Sequence, residues 1–427
     1  MLVKFSIGNF LSFKNIQTLN LIPDGLKDLS ENLHIPYLYN HEDRLLKSVA
    51  IYGHNSYGKS NFIKSFQFFQ KLIFNSFSAG QINNTIDIQP FLLNTEMLDK
   101  PSFFELTFLI KETKYRYTFT LNSKEIIEEE LHYSELKVRE NYLFKRKGKD
   151  IITSKIWNKE SDNKLNQAIY FTKSHILFLS VLLSQENIPR VQSISNWLGA
   201  NLVIPDDYIK ELMKARAIYS DPIYKGLILK FIKNADLGFT TIFDKVENLS
   251  NSKLTLEKGL LNMWFDKEIK SFDLFTGHSV YNREQKIVDN IEFELQKNES
   301  SGSLKYFILV SLISYAIKNS QLIWVDELDA RFDSSLLKML LQAFHNPKIN
   351  PMNSQMIFTT HNTVLLDKIL RRDQMVVVEK NEFGESSLLR MHSSKKPIRI
   401  GKSIEKEYRK GKMGGVSKKL INPSLFD

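Results

Sequence analysis

Two glycines, a lysine and a hydroxyl at fixed spacing make a phosphate cradle. The chain holds them in Gly53-His54-Asn55-Ser56-Tyr57-Gly58-Lys59-Ser60, a full match to G-x-x-x-x-G-K-[ST]. Ser48-Val49-Ala50-Ile51-Tyr52 ahead of it reads as a short buried strand, and Phe62, Phe66, Phe69 and Ile73 behind it fall at helical spacing. A loop between strand and helix can turn backbone N–H groups and the positive end of the helix dipole onto a triphosphate. Lys59 then reaches the outer phosphates, and the Ser60 hydroxyl ligates magnesium. Gly53, Asn55, Ser56, Gly58, Lys59, Ser60 and the adjoining Asn61 are therefore the candidate triphosphate contacts. A chance glycine-rich turn would not also bring a strand and a helix into place around the motif.

Further along, Leu322-Ile323-Trp324-Val325 is an apolar run that ends in Asp326-Glu327. A carboxylate pair at the end of a buried strand suits magnesium, through Asp326, and polarisation of an attacking water, through Glu327. Acidic pairs also close ordinary solvated turns, and the phosphate loop upstream favours the functional reading. Glu299-Ser300-Ser301-Gly302-Ser303-Leu304-Lys305 leads into an apolar helix, where Ser300 and Gly302 can offer a hydroxyl and N–H groups to an anion. Taken alone, Ser300 would be an N-cap. Gln355 to Thr360 reads as a strand ending in His361, and Met375-Val376-Val377-Val378 as another. Functional groups at the carboxyl ends of successive strands are what an open α/β sheet offers a ligand.

The elements that must position these groups fall into four stretches. Residues 1–155 contain an opening hairpin, the phosphate loop and its helix, and alternating strands around Phe104 to Ile110 and Tyr115 to Leu121, which predict an attached antiparallel β layer. Residues 156–231 read as a helical insertion, broken at Asn187 to Arg190 and at Asp221-Pro222. Residues 232–390 return to α/β character, and residues 391–427 form a basic tail. The fold class is α/β, with no heptad repeat long enough for a coiled-coil arm.

Composition narrows the chemistry further. The 427 residues contain no cysteine, which rules out disulfides, cysteine-ligated zinc and cysteine nucleophiles together. Met1 to Phe5 lack the build of a signal peptide, and the apolar run from Tyr306 to Ile317 is too short to cross a bilayer, so a cytoplasmic protein without a membrane partner is expected. Of the net charge of +10, Met391 to Asp427 carries ten Lys or Arg against Glu405, Glu407 and Asp427. Such a tail can hold nucleic acid or an acidic partner, or simply be a solvated end. His278 reads as a turn residue, and Trp157, Trp197, Trp264 and Trp324 as packing.

Several motifs together carry a family resemblance: Lys4-Phe5-Ser6-Ile7-Gly8-Asn9-Phe10-Leu11-Ser12-Phe13, Gln89-Pro90-Phe91-Leu92-Leu93, Asp326-Glu327-Leu328-Asp329 and Thr360-His361-Asn362. With the phosphate loop they resemble the SMC-like branch of ABC-type ATPases. Within that branch, Arg371-Arg372-Asp373-Gln374 followed by Glu379-Lys380 is similar to the RloA-type ATPases of bacterial restriction and phage-defence loci. The resemblance implies an ABC-type ATPase head that uses ATP and magnesium. Ser300 and Gly302 would then form the signature motif that contacts the γ-phosphate held by the opposite subunit, His361 would be the switch histidine, and Gln89 the candidate glutamine-loop magnesium ligand. For Gln89, a polar strand end before Pro90 is the plain alternative. The chain departs from the group at Ser56-Tyr57 and at Ser301. The implied function is ATP-driven dimerisation that controls an effector, a nuclease or toxin encoded nearby. A nucleotide-gated scaffold with little turnover and a DNA-repair clamp are the competing readings.

Overall fold

The computed structural model describes residues 1–34, 44–82, 84–135, 138–160, 164–185, 188–239, 241–245, 273–330, 333–366, 369–391, 403–410 and 415. Its centre is a six-stranded sheet in the order Leu202–Ile204, Leu322–Val325, Gln355–Thr359, Ser48–Tyr52, Met375–Lys380, Ser386–Arg390. The first five strands run parallel, and the last is antiparallel. The apolar runs of the sequence have a simple cause here: both faces of the sheet are covered. Val49, Ile51, Leu322 and Trp324 face one hydrophobic cluster, while Ala50, Tyr52, Ile323 and Val325 face the other.

On the first face lies the helix Lys59–Ala79, held between the parallel sheet and a seven-stranded antiparallel one that begins with Leu2–Gly8 and Gln17–Asn20 and includes Ser102–Ile110 and Thr113–Leu121. Phe5, on the antiparallel sheet, meets Phe62, Phe66 and Phe69 edge-on with centroids 5.8, 5.3 and 5.6 Å away. Phe66 stacks on Trp324 of the parallel sheet at 4.5 Å, and Phe69 stacks on Phe119 at 5.3 Å. The helical phenylalanines of the sequence are thus the filling between two sheets. Trp157 and Trp197 pack as expected, against Phe144 and Phe108, and Trp264 lies outside the described residues.

The second face is covered by the helix Ser301–Asn319, which is buried along almost its whole length and flanked by Leu212–Ser220 and Pro222–Asn234. An apolar surface on all sides is what a central helix needs. No helix among the described residues is long and apolar enough to cross a membrane.

Two features differ from the sequence reading. The stretch 156–231 is not purely helical, because Leu202–Ile204 pairs with Leu322–Val325 as the edge of the central sheet. Three residues are too few to show a period of two, and only the partner strand gives them their conformation. The second half also holds a three-stranded antiparallel sheet, Thr241–Lys245, Asp273–Tyr281 and Ile287–Glu294. His278 sits within it rather than in a turn, with its Nε2 2.6 Å from Glu299 Oε1. Most of the basic tail lies outside the described residues, but its helix Ile404–Arg409 brings Tyr408 edge-on to Tyr52 at 5.9 Å.

Candidate functional site

The strand Ser48–Tyr52 delivers the phosphate loop between the carboxyl ends of its two parallel neighbours. Gly58 opens the helix at φ 112°, and a Cβ there would stand 2.5 Å from Ser386 Oγ and 2.7 Å from Ser12 Oγ. Both the backbone angle and the space demand glycine. Those two serines belong to a strap that fixes the loop from outside. Ser386 Oγ donates to Tyr57 O at 2.6 Å, Ser386 N–H to Ser12 O at 2.7 Å, and Asn61 Nδ2 to Ser12 Oγ at 2.9 Å. Lys380 Nζ adds a bond to Ser56 O at 3.2 Å, where Ser56 takes a φ of 64°. Asn61, expected at the nucleotide, therefore spends its amide on the strap. Asn55 is exposed on the loop, and Ser60 is half-buried in the first helical turn.

Lys59 is 5% exposed, and its ammonium donates to Gly53 O at 2.9 Å and His54 O at 3.3 Å. Burial lowers its pKa, and the carboxylates of Glu327, Asp326 and Asp329 oppose that shift. The phosphate-loop cation and the acids that follow the distant strand Leu322–Val325 thus share one site. Between them in the sheet runs Gln355–Thr359.

Thr359, at the end of that middle strand, orients both candidate acids. Its Oγ1 donates to Asp326 Oδ1 at 2.6 Å and accepts the Glu327 N–H at 2.7 Å. Glu327 sits at φ 49°, a left-handed conformation costly for a side-chain-bearing residue. Its N–H is held by Thr359, and its carbonyl accepts from Lys305 Nζ at 2.8 Å. Burial raises the Glu327 pKa, Asp206 and Asp326 raise it further, and Lys305 and Lys59 pull it back. A carboxyl held above its ordinary range suits proton transfer. His361 stands at the rim, its N–H bound by the Asp329 carboxylate at 3.3 and 3.0 Å. Neighbouring protein mass lowers its pKa, with Lys59 the next cause.

The other expected contacts are placed differently. Ser300 Oγ accepts the Ser303 N–H at 3.0 Å, so within this protomer it is the N-cap of Ser301–Asn319. No hydrogen bond joins Ser300 or Gly302 to the phosphate loop among the described residues. A link to the acids does run through Lys305, which also lies over the Tyr208 ring at 5.4 Å, and the Tyr208 hydroxyl donates to Ser301 O at 3.3 Å. Gln89 is exposed, and its carbonyl accepts the Leu11 N–H at 3.0 Å, next to Ser12 of the strap. Arg371 and Asp373 are fully buried 2.9 Å apart, and Arg371 reaches Leu26 O at 3.0 Å, so these family-like residues hold the segment after the opening hairpin.

Sequence reasoning missed Thr359, Asp206 and Lys305. Asp206 had a signal: Leu202-Val203-Ile204 is another apolar run that precedes a carboxylate. The group suits a magnesium–nucleotide ligand. A buried ammonium and a half-buried hydroxyl stand on one side, and on the other Asp326 keeps its Oδ2 without a protein donor among the described residues.

Residues 48–367 match the family described as AAA domain, putative AbiEii toxin, Type IV TA system. No curated protein matches the chain. Among solved structures, the chain is similar to the SMC head domain from Thermotoga maritima, with 12% identity, TM-score 0.41, and coverage of 93% of this chain and 99% of that one. It is also similar to the SmcHead bound to the C-winged helix domain of ScpA, with 11% identity, TM-score 0.43, and coverage of 91% and 96%.

Proposed function

The chain belongs to the family described as AAA domain, putative AbiEii toxin, Type IV TA system, and on that premise we propose that it is an ATP hydrolase working as a homodimer to control a partner effector. The observation that carries this reading is the gathering of Lys59 with Asp326, Glu327 and Asp329 at the carboxyl edge of the parallel sheet, across the intervening strand Gln355–Thr359. Bound ATP with magnesium supplies a γ-phosphoryl group open to attack by water. Lys59 and the loop N–H groups from Gly53 to Ser60 balance the outer phosphates. Ser60 and Asp326, with Gln89 as the third candidate, hold the cation. Glu327 takes the proton of the attacking water, and His361 holds the γ-phosphate side of the pocket. Ser300 and Gly302 of a second copy complete the site, so closure joins two chains and turnover separates them.

The family description names a putative toxin system, and the RloA-like motifs belong to defence loci; both favour a nuclease or toxin as the effector and phage defence as the setting. Glu327→Gln tests the chemistry. It should keep ATP binding and slow turnover by roughly 10² to 10⁴. Wild-type turnover in that variant would remove Glu327 from the role, and loss of ATP binding would mean that it serves structure instead.

A further inference from the structure

On the second face of the sheet lies a groove of about 760 Å³ between the helices Pro222–Asn234 and Ser334–His345, with Lys318 from the last turn of Ser301–Asn319 at its edge. Its floor is apolar, with half-buried Leu227, Met339 and Ile349. Its rim carries Lys230 of Pro222–Asn234, Lys318 of Ser301–Asn319 and Lys348 from the turn after His345. All three lysines are exposed, none makes an ion pair among the described residues, and no carboxylate lines the groove.

We infer that this groove docks an acidic amphipathic helix of a partner protein. An apolar trough between two helices is the shape that accepts a helix by its apolar face, and the volume suits a row of anchoring side chains. Three unpaired ammonium groups around it supply the complementary sign for carboxylates flanking those anchors. The apolar floor distinguishes this from a nucleic-acid surface, where the basic groups would track phosphates.

Two of the helices that line the groove, Ser301–Asn319 and Ser334–His345, lead from it to candidate site residues. Ser301–Asn319 has 19 residues, so its groove end lies about 27 Å along the same buried rod from the Ser300 motif. The other starts at Ser334, whose Oγ accepts from Asn362 Nδ2 at 2.8 Å, beside His361. The docked helix would therefore sense nucleotide-driven movement of either one. Only this coupling rests on the ATPase reading; the docking does not.

The test is selection of a random helical-peptide display library on the full-length chain without nucleotide, followed by binding of the enriched peptides to Lys230→Glu/Lys318→Glu/Lys348→Glu and, separately, to Met339→Glu. Fluorescent-ATP binding by each protein is measured alongside, so that a failed nucleotide site is seen apart from a failed groove. Enriched peptides should carry net negative charge and apolar residues at i, i+3 or i+4, i+7, bind at least tenfold more weakly to both variants, and weaken with salt. Enrichment of basic or neutral peptides, equal binding to the variants, displacement by duplex DNA, or no enrichment at all would each overturn the proposal.

Discussion

Thr359→Val should disturb the site more than any change of similar size outside it. Valine keeps the shape and the β-branch but removes both hydrogen bonds of Oγ1, to Asp326 Oδ1 at 2.6 Å and from the Glu327 N–H at 2.7 Å. Thr359 is fully buried and Asp326 is 7% exposed, so water replaces neither partner freely. An orphaned buried amide costs about 1–3 kcal/mol, and loss of a bond to a charged carboxylate about 1.5–3 kcal/mol. The left-handed Glu327 backbone, released on one side, gives part of that back by relaxing. The net expectation is a loss of about 2–4 kcal/mol, which at this chain length lowers the Tm by about 2–4 °C. Turnover should fall further than stability, because Glu327 loses its orientation, while ATP binding through Lys59 changes little. Differential scanning fluorimetry and steady-state phosphate release measure the two, and Thr359→Ser should recover most of both. A valine variant with wild-type Tm and wild-type turnover would refute the role of this hydroxyl.

Lys59→Ala should abolish ATP binding in equilibrium titration, since it removes the buried ammonium that donates to Gly53 O and His54 O inside the loop; tight residual binding would sink the nucleotide-site assignment. Asp206→Asn removes the largest carboxylate contribution that raises the Glu327 pKa, so Glu327 ionises at lower pH and the acidic limb of the kcat–pH profile should move down. An unmoved limb would disconnect Asp206 from the base. Ser300→Arg should bind ATP yet fail to turn it over, and mixing it with Lys59→Ala should restore part of the activity through the one composite site that carries neither lesion. Full hydrolysis by Ser300→Arg alone would exclude a shared site.

What the sequence settled by itself is local. A phosphate loop is a backbone conformation made by eight neighbouring residues, so Gly53 to Ser60 identify it wherever they occur between a strand and a helix. The acidic pair, the strand ending at His361, the phenylalanine face of Lys59–Ala79 and the opening hairpin were equally legible, because periodicity reports burial one element at a time. Only the tertiary structure decided which distant groups serve that site. Ser12 and Ser386 fix the loop through bonds that no spacing announces, and Asn61 is committed to the same strap. Thr359 bonds to both acids because the order of strands puts Gln355–Thr359 between the loop and the acids. Leu202–Ile204 is a strand solely because Leu322–Val325 pairs with it, and that pairing carries Asp206 into the field of Glu327. The physical reason is the same throughout: local pattern fixes how a segment folds, whereas hydrogen bonds and charge–charge terms across the sheet exist only once strand order and register have been chosen.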